Sequence, residues 1–181
     1  MSKSFKNFFG NNSALEEIFN NLYPSILEDS PLEASKYFKK YWNIWENHAK
    51  DEKFNNSVPG AVFEKLFEIY CYLLKYKIIA KDEYFKNVPL VKPDFLLEND
   101  KNNYLFLSLK TSLRERWKQA DWEAIYFKQY YPDAVCILVT FNAREESTLQ
   151  SKINEDLLKG LDNSCLATSS KFDDLLFDFY N

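Results

Sequence analysis

The chain has 181 residues, 46 % of them hydrophobic and 18 % aromatic, with 16 Phe, 12 Tyr and only 3 Gly. That composition excludes a disordered or linker-rich protein and suits a single domain with a substantial core. A formal net charge of −4 argues against a protein that coats nucleic acid indiscriminately, because non-specific affinity comes mainly from Lys and Arg against phosphates.

No tandem repeat is visible. Residues 1–10 hold no apolar stretch of signal-peptide length, and apolar residues nowhere run to the roughly 18–20 that span a bilayer, so the expectation is a cytoplasmic protein without membrane contact. Cys71, Cys136 and Cys165 have no metal-like spacing and sit in apolar runs, as reduced core thiols do. His48 is the only histidine, which leaves a zinc site or a Ser/His/Asp triad almost nothing to build on.

In chain order, Asn12-Ser13-Ala14-Leu15-Glu16 has capping-box spacing and opens a helix to about Tyr23, ended by Pro24. Ser30-Pro31-Leu32-Glu33 repeats the signal with proline at the first helical position, for a helix through Tyr37, Tyr41, Ile44 and Trp45 to about Lys50. These helices form an N-terminal helical part, residues 1–58, ahead of a core over 59–181. Two roles are open for that part: a packing layer over a sheet, or a clamp on nucleic acid or a dimer contact. Lys36, Lys39 and Lys40 are equally expected on any solvated face.

Asp51–Gly60 is a polar loop ending in Pro59-Gly60, followed by a strong helix from Ala61 to about Tyr76. Its apolar positions Val62, Phe63, Leu66, Phe67, Ile69, Tyr70, Leu73 and Leu74 bury most of its surface, and Glu64 and Glu68 share what remains. Val91–Leu97 and Tyr104–Lys110 are strand-length runs separated by the polar turn Glu98–Asn103, hence an antiparallel hairpin. Alternation puts Leu105, Leu107 and Leu109 on one face, and Ser108 and Lys110 on the other with Tyr104 and Phe106. Pro93 cannot donate to a ladder and belongs at a strand start, so Asp94 is expected beside Lys110.

From Leu113, apolar residues recur at Trp117, Ala120, Ala124 and Phe127, with Thr111 or Ser112 as N-cap and Glu115 available for a capping box. Glu123 lies beside that stripe, one heptad after Arg116, and a carboxylate so placed needs a partner. Ala134–Phe141 reads as a central strand, Ser147–Lys159 as a helix closed by Gly160, Cys165–Ser169 as a short strand and Ser170–Tyr180 as an amphipathic helix. The order implies an α/β (α+β) fold with a mixed central sheet flanked by helices. Lys110, Arg114, Arg116 and Lys118 are four cations in nine residues, while Asp173, Asp174 and Asp178 cluster elsewhere; an acidic chain can still present one basic groove.

Pro93-Asp94, Ser108-x-Lys110 and Glu123, in that order, resemble the PD-(D/E)xK nuclease motif. The variant is one in which the acidic residue two before the lysine is replaced and a glutamate of the next helix stands in. Residues 110–119 are similar to type II restriction endonucleases, and Arg114-Glu115-Arg116 resembles the base-reading element of those that cut CCGG-type cores. The resemblance covers Gly60 to about Thr140 and says little about the first fifty residues. It implies a restriction-endonuclease-like fold and Mg²⁺-dependent, sequence-specific hydrolysis of double-stranded DNA.

Under that resemblance Asp94 and Glu123, with the Leu109 carbonyl, would hold Mg²⁺, while Lys110 would orient or deprotonate the attacking water. Ser108 stands where the family more often has Glu. Glu64 matches the helix glutamate that often reaches the metals, an ordinary solvated glutamate being its other reading. Arg114, Glu115, Arg116 and Lys118 would contact DNA, a homodimer would match a palindromic site, and a companion DNA methyltransferase would protect the host. Two other readings stand beside it: a structure-specific repair or recombination nuclease, and a catalytically degenerate DNA-binding or subunit-interaction module. Each residue also has an ordinary role open to it. Lys110 can snorkel at a strand end, Asp94 can serve a turn, Glu123 can pair with Arg116, and Glu115 can simply cap a helix.

Overall fold

The computed structural model describes residues 6–10, 12–30 and 33–181. Four helices come first, α1 (Lys6–Phe9), α2 (Ser13–Leu22), α3 (Ala34–Asp51) and α4 (Val58–Leu74). Strands β1 (Lys77–Ala80), β2 (Phe95–Glu98) and β3 (Tyr104–Lys110) follow, then α5 (Arg116–Lys128), β4 (Val135–Thr140), α6 (Ala143–Asn154), β5 (Asn163–Leu166) and α7 (Ser170–Tyr180). Among the described residues the strands form one sheet in the order β1-β2-β3-β4-β5. The β1-β2 and β2-β3 pairs are antiparallel, and β3-β4 and β4-β5 are parallel. The mixed sheet flanked by helices expected from the element order is therefore present.

Strand alternation sorts the apolar side chains into two layers. Leu105, Leu107 and Leu109 of β3, with Phe95 and Leu97 of β2 and Ile137 and Val139 of β4, join buried residues of α2, α3, α4 and α7. Phe106, Leu96, Cys136 and Leu138 point the other way, against Ala120, Ala124 and Phe127 of α5, Leu149 of α6, and Phe85 and Val88 of the β1–β2 connection. The N-terminal helices belong to the first layer. The Tyr37 hydroxyl donates to the Leu66 carbonyl at 2.9 Å, and Trp42 stacks on Phe141 at 4.0 Å between ring centroids. All three cysteines are buried and unpaired by disulfides.

Several boundaries differ from expectation, each for a local reason. Asn12 is the cap of α2, its Oδ1 accepting from the Leu15 amide at 3.1 Å. Pro31 and Leu32, the expected start of the second helix, lie outside the described residues. Helix α4 stops at Leu74, because Lys75 turns left-handed (φ 60°) and directs the Tyr76 amide to the Cys71 carbonyl at 2.8 Å, which feeds the chain into β1. Strand β2 begins at Phe95 and not Val91, consistent with Pro93 having no N–H to give a ladder.

The helix expected from Leu113 begins at Arg116, and neither Thr111 nor Ser112 caps it. The Leu113 and Arg114 amides instead donate to the Glu145 carboxylate of α6, at 2.7 and 3.3 Å, with Arg114 left-handed at φ 42°. Helix α6 runs Ala143–Asn154 and ends well before Gly160. That glycine serves a close approach. A Cβ there would lie well inside contact distance of the Asp121 carbonyl oxygen and 2.6 Å from the Ile125 nitrogen, while the Gly160 and Leu161 amides donate to Asp121 Oδ1 at 2.8 and 3.1 Å. Gly160→Ala should therefore push the α6–β5 segment off α5 and destabilise the protein by roughly 1–3 kcal/mol. Chemical denaturation measures this, and unchanged stability would show that the contact relaxes freely.

Candidate active site

The site forms where the hairpin opens. The β2–β3 ladder runs from Glu98↔Tyr104 to Phe95↔Leu107 and stops. Beyond it, Asp94 Oδ2 accepts the Leu109 amide at 2.7 Å and Lys110 Nζ at 2.7 Å. In an extended strand the N–H and C=O of one residue face the same side, so the Leu109 carbonyl follows its amide toward this opening. Both ionised side chains are largely withdrawn from water, at 17 % and 16 % exposure. Asp94 and Lys110 are thus brought into contact, on the α5 side of the sheet. Ser108, two residues before Lys110, is buried on that same side opposite Leu138.

Three further carboxyls lie near enough for their charges to act on the pair. Glu123 of α5 is half-buried and accepts from Gln119 Nε2 at 2.7 Å. Burial raises its pKa and the Asp94 charge adds to this, while the Gln119 hydrogen bond and Lys110 oppose. Its partner is Gln119, one turn earlier, and not Arg116. Glu64, on the first layer, reaches the same place from the beginning of α4: burial pushes its pKa up to about 7, Asp94 and Asp82 add to the shift, and Lys81 and Lys110 oppose it. Asp82 follows β1. Its pKa is also raised, by burial and then by Asp94, and its amide donates to the Pro93 carbonyl at 2.9 Å, tying it to the turn that carries Asp94. Lys81 Nζ pairs with Glu68 at 2.5 Å, and Glu68 also takes Lys65 Nζ at 2.6 Å.

Asp82, Lys81, Gln119 and Glu145 carry no signal in the sequence beyond their polarity. Asp82 lies in the charged run Lys81-Asp82-Glu83, which reads as an ordinary loop. Only the sheet order shows that the end of β1 meets the start of β2.

The donor set is hard oxygen, which suits a small divalent cation such as Mg²⁺ that takes one or two carboxylates and keeps its waters. The pKa values of Glu64, Asp82 and Glu123 are raised by burial first, with the Asp94 charge adding to the shift. Among the described residues no three Asp, Glu, His or Cys side chains converge into a ready cage.

The four residues after Lys110 with a DNA-contact expectation stay on the surface. Arg114, Glu115, Arg116 and Lys118 are exposed, and Glu115 pairs with Lys118. Arg114 lines a cleft with residues of α6.

A comparison with solved structures finds the complex of restriction endonuclease PspGI with its substrate DNA. The TM-score is 0.56 at 15 % sequence identity, covering 99 % of this chain and 86 % of that one. The shared restriction-endonuclease-like fold therefore includes the N-terminal helices, which the sequence motif leaves out. No protein-family model matches the chain, and no curated protein matches its sequence. Among the described residues no helix is long and apolar enough to cross a membrane.

Glu64 provides a test that needs no substrate. In the unfolded chain its carboxyl titrates near the ordinary 4.5, and in the folded protein near 7. Between these values the native state binds more protons, so this group's contribution makes stability fall as pH rises. In metal-free buffer Glu64→Gln should match wild type near pH 4.5 and exceed it by roughly 1–3 kcal/mol at pH 8. A stability difference that does not change with pH would remove Glu64 from the charged cluster.

Proposed function

We propose that this chain is a Mg²⁺-dependent type II restriction endonuclease that hydrolyses phosphodiester bonds of double-stranded DNA at a specific sequence. The observation that carries the reading is the Asp94–Lys110 pair at the opened hairpin, with Glu123 and Glu64 beside it, on a fold it shares with an endonuclease solved on DNA. Asp94, Glu123 and the Leu109 carbonyl would hold Mg²⁺, which supplies a bound water of lowered pKa and neutralises charge on the phosphate. Lys110 Nζ, which pairs with Asp94 Oδ2, would bind a phosphate oxygen and orient the attacking water. Glu64, its pKa pushed up to about 7 by burial first and then by Asp94 and Asp82, would complete the acidic side of the site. Ser108 supports the Lys110 strand from within the layer.

Incubation with mixed plasmid and phage DNA and Mg²⁺ should give discrete bands. Asp94→Ala and Lys110→Ala should each abolish cutting, by 10²-fold or more on the order expected for lost acid–base or electrostatic contributions, with circular dichroism unchanged. Wild-type activity in either variant would overturn the site. Smearing or ladders on branched or single-stranded DNA would point to a structure-specific nuclease, and DNA binding without cleavage to a degenerate binding module.

Sequence reading is assigned to Arg114, Glu115 and Arg116, with Lys118 on phosphate. A guanidinium bonds bidentately to guanine O6 and N7, and a carboxylate accepts from cytosine N4, so the trio matches G·C pairs. For Glu115 this requires leaving Lys118, an exposed ion pair of small worth. Cutting both strands of a palindrome assigns a two-fold homodimer, and a companion methyltransferase would protect host sites. Arg114→Ala should lose roughly 1–3 kcal/mol of discrimination at one position of the site. Weakening that is even across sequences, with a shallower salt dependence, would reassign Arg114 to phosphate.

A further inference from the structure

A cleft of about 380 Å³ opens between the segment after β3 and helix α6. Its walls include Arg114, Trp117, Arg144, Glu145, Thr148 and Lys152. Leu113 and Arg114 come just after Lys110, and Asn142 and Arg144 just after Thr140, the residue registered opposite Lys110 across the parallel β3–β4 pair. The cleft therefore lies outside the carboxyl ends of two parallel strands, where open α/β sheets take their ligands. It shares the sheet edge that carries Asp94 and Lys110.

Its charge is one-sided. Among the described residues Arg114, Arg144 and Lys152 have no carboxylate within ion-pair distance. Glu145 is the acid in the lining, and its two oxygens already accept the Leu113 and Arg114 amides. Those bonds hold the left-handed backbone of Arg114 in place. Lys152 Nζ lies 5.4 Å from the centroid of the Trp117 ring, a cation–π contact that keeps it on the cleft wall. The result is a preorganised basic trough walled by an indole, within an acidic protein.

We propose that this cleft is a second phosphate-binding site, gripping the sugar-phosphate backbone of duplex DNA beside the cleavage site through Arg144 and Lys152. The inference rests on the nuclease reading above and adds two residues of α6 to it. Phosphate contacts fix register without reading sequence, so Arg144 and Lys152 set where the duplex lies while the residues after Lys110 meet its bases.

Binding of random-sequence duplex DNA in metal-free buffer, measured across a salt series, tests it. Each phosphate contact contributes about 0.9 to the slope of log K against log salt. Arg144→Gln/Lys152→Gln should lower that slope by about 1.8, and Arg144→Lys alone should keep it. Lys77→Ala/Lys101→Ala removes the same charge at the opposite edge of the sheet, where β1 begins and β2 turns into β3, and should leave the slope unchanged. A double variant with the wild-type slope would overturn the cleft assignment and leave the nuclease reading intact. No duplex binding by the wild type would overturn both. Titration with inorganic pyrophosphate closes the remaining route: tight binding lost in the double variant, with duplex affinity unaltered, would show a free-phosphate site and refute the duplex claim.

Discussion

The carboxylate of Asp94 holds the place where the sheet comes apart. Strand β2 leaves β3 at Phe95, and Asp94 supplies the Leu109 amide with the acceptor that the departing strand no longer offers. Hydrogen bonds to a charged group contribute about 1.5–3 kcal/mol. Against this stands the cost of withdrawing an aspartate and a lysine from water, several kcal/mol per ion unless the geometry recovers it. An apolar pair of similar volume would avoid that cost but would leave the Leu109 amide without its acceptor. The pair keeps two ions at the opened edge, with one Asp94 oxygen shared between the Leu109 amide and Lys110.

The surrounding carboxyls reach Asp94 from elements that are far apart in the chain and lie on opposite faces of the sheet. Glu64 comes from α4 in one layer and Glu123 from α5 in the other, with Asp82 at the end of β1 between them. Their raised pKa values have burial as the first cause and the Asp94 charge as a further one. The cluster therefore exists only when both layers are packed. Lys65, Glu68 and Lys81 form a chain of ion pairs along the same edge, and Lys65 also donates to the Phe8 carbonyl of α1. These three side chains link α1 to the residue before Asp82.

The parts of this architecture that were legible in the sequence are those set by neighbours in the chain. The two faces of β3 followed from alternation, the Asp94–Lys110 contact from a proline that must start a strand, and α7 from its own apolar spacing over Ser170–Tyr180. What was not legible was set by residues far away in sequence. The start of α5 moved from Leu113 to Arg116 because a carboxylate more than thirty positions later takes the amides that a local cap would have taken. Gly160 looked like a helix stop, yet its role is to let a loop touch the backbone of α5, which no local pattern records. Asp82 and the α6 side of the basic cleft were invisible for the same reason: strand order, and not spacing, brings them to the edge.

The N-terminal helices illustrate how far that edge depends on the rest of the molecule. Tyr37 of α3 is hydrogen-bonded to the Leu66 carbonyl of α4, two residues after Glu64. Trp42 of α3 stacks on Phe141, the residue between β4 and the Asn142 cap of α6. One helix thus buttresses both sides of the opening: the turn of α4 that presents Glu64, and the turn that leads into Arg144 and Lys152. Aromatic contacts of this kind add about 0.5–1.5 kcal/mol each beyond the area they bury, and close-packed interiors transmit displacement instead of absorbing it. The layer that carries no motif of its own thus packs against both the helix that carries Glu64 and the turn that leads into α6.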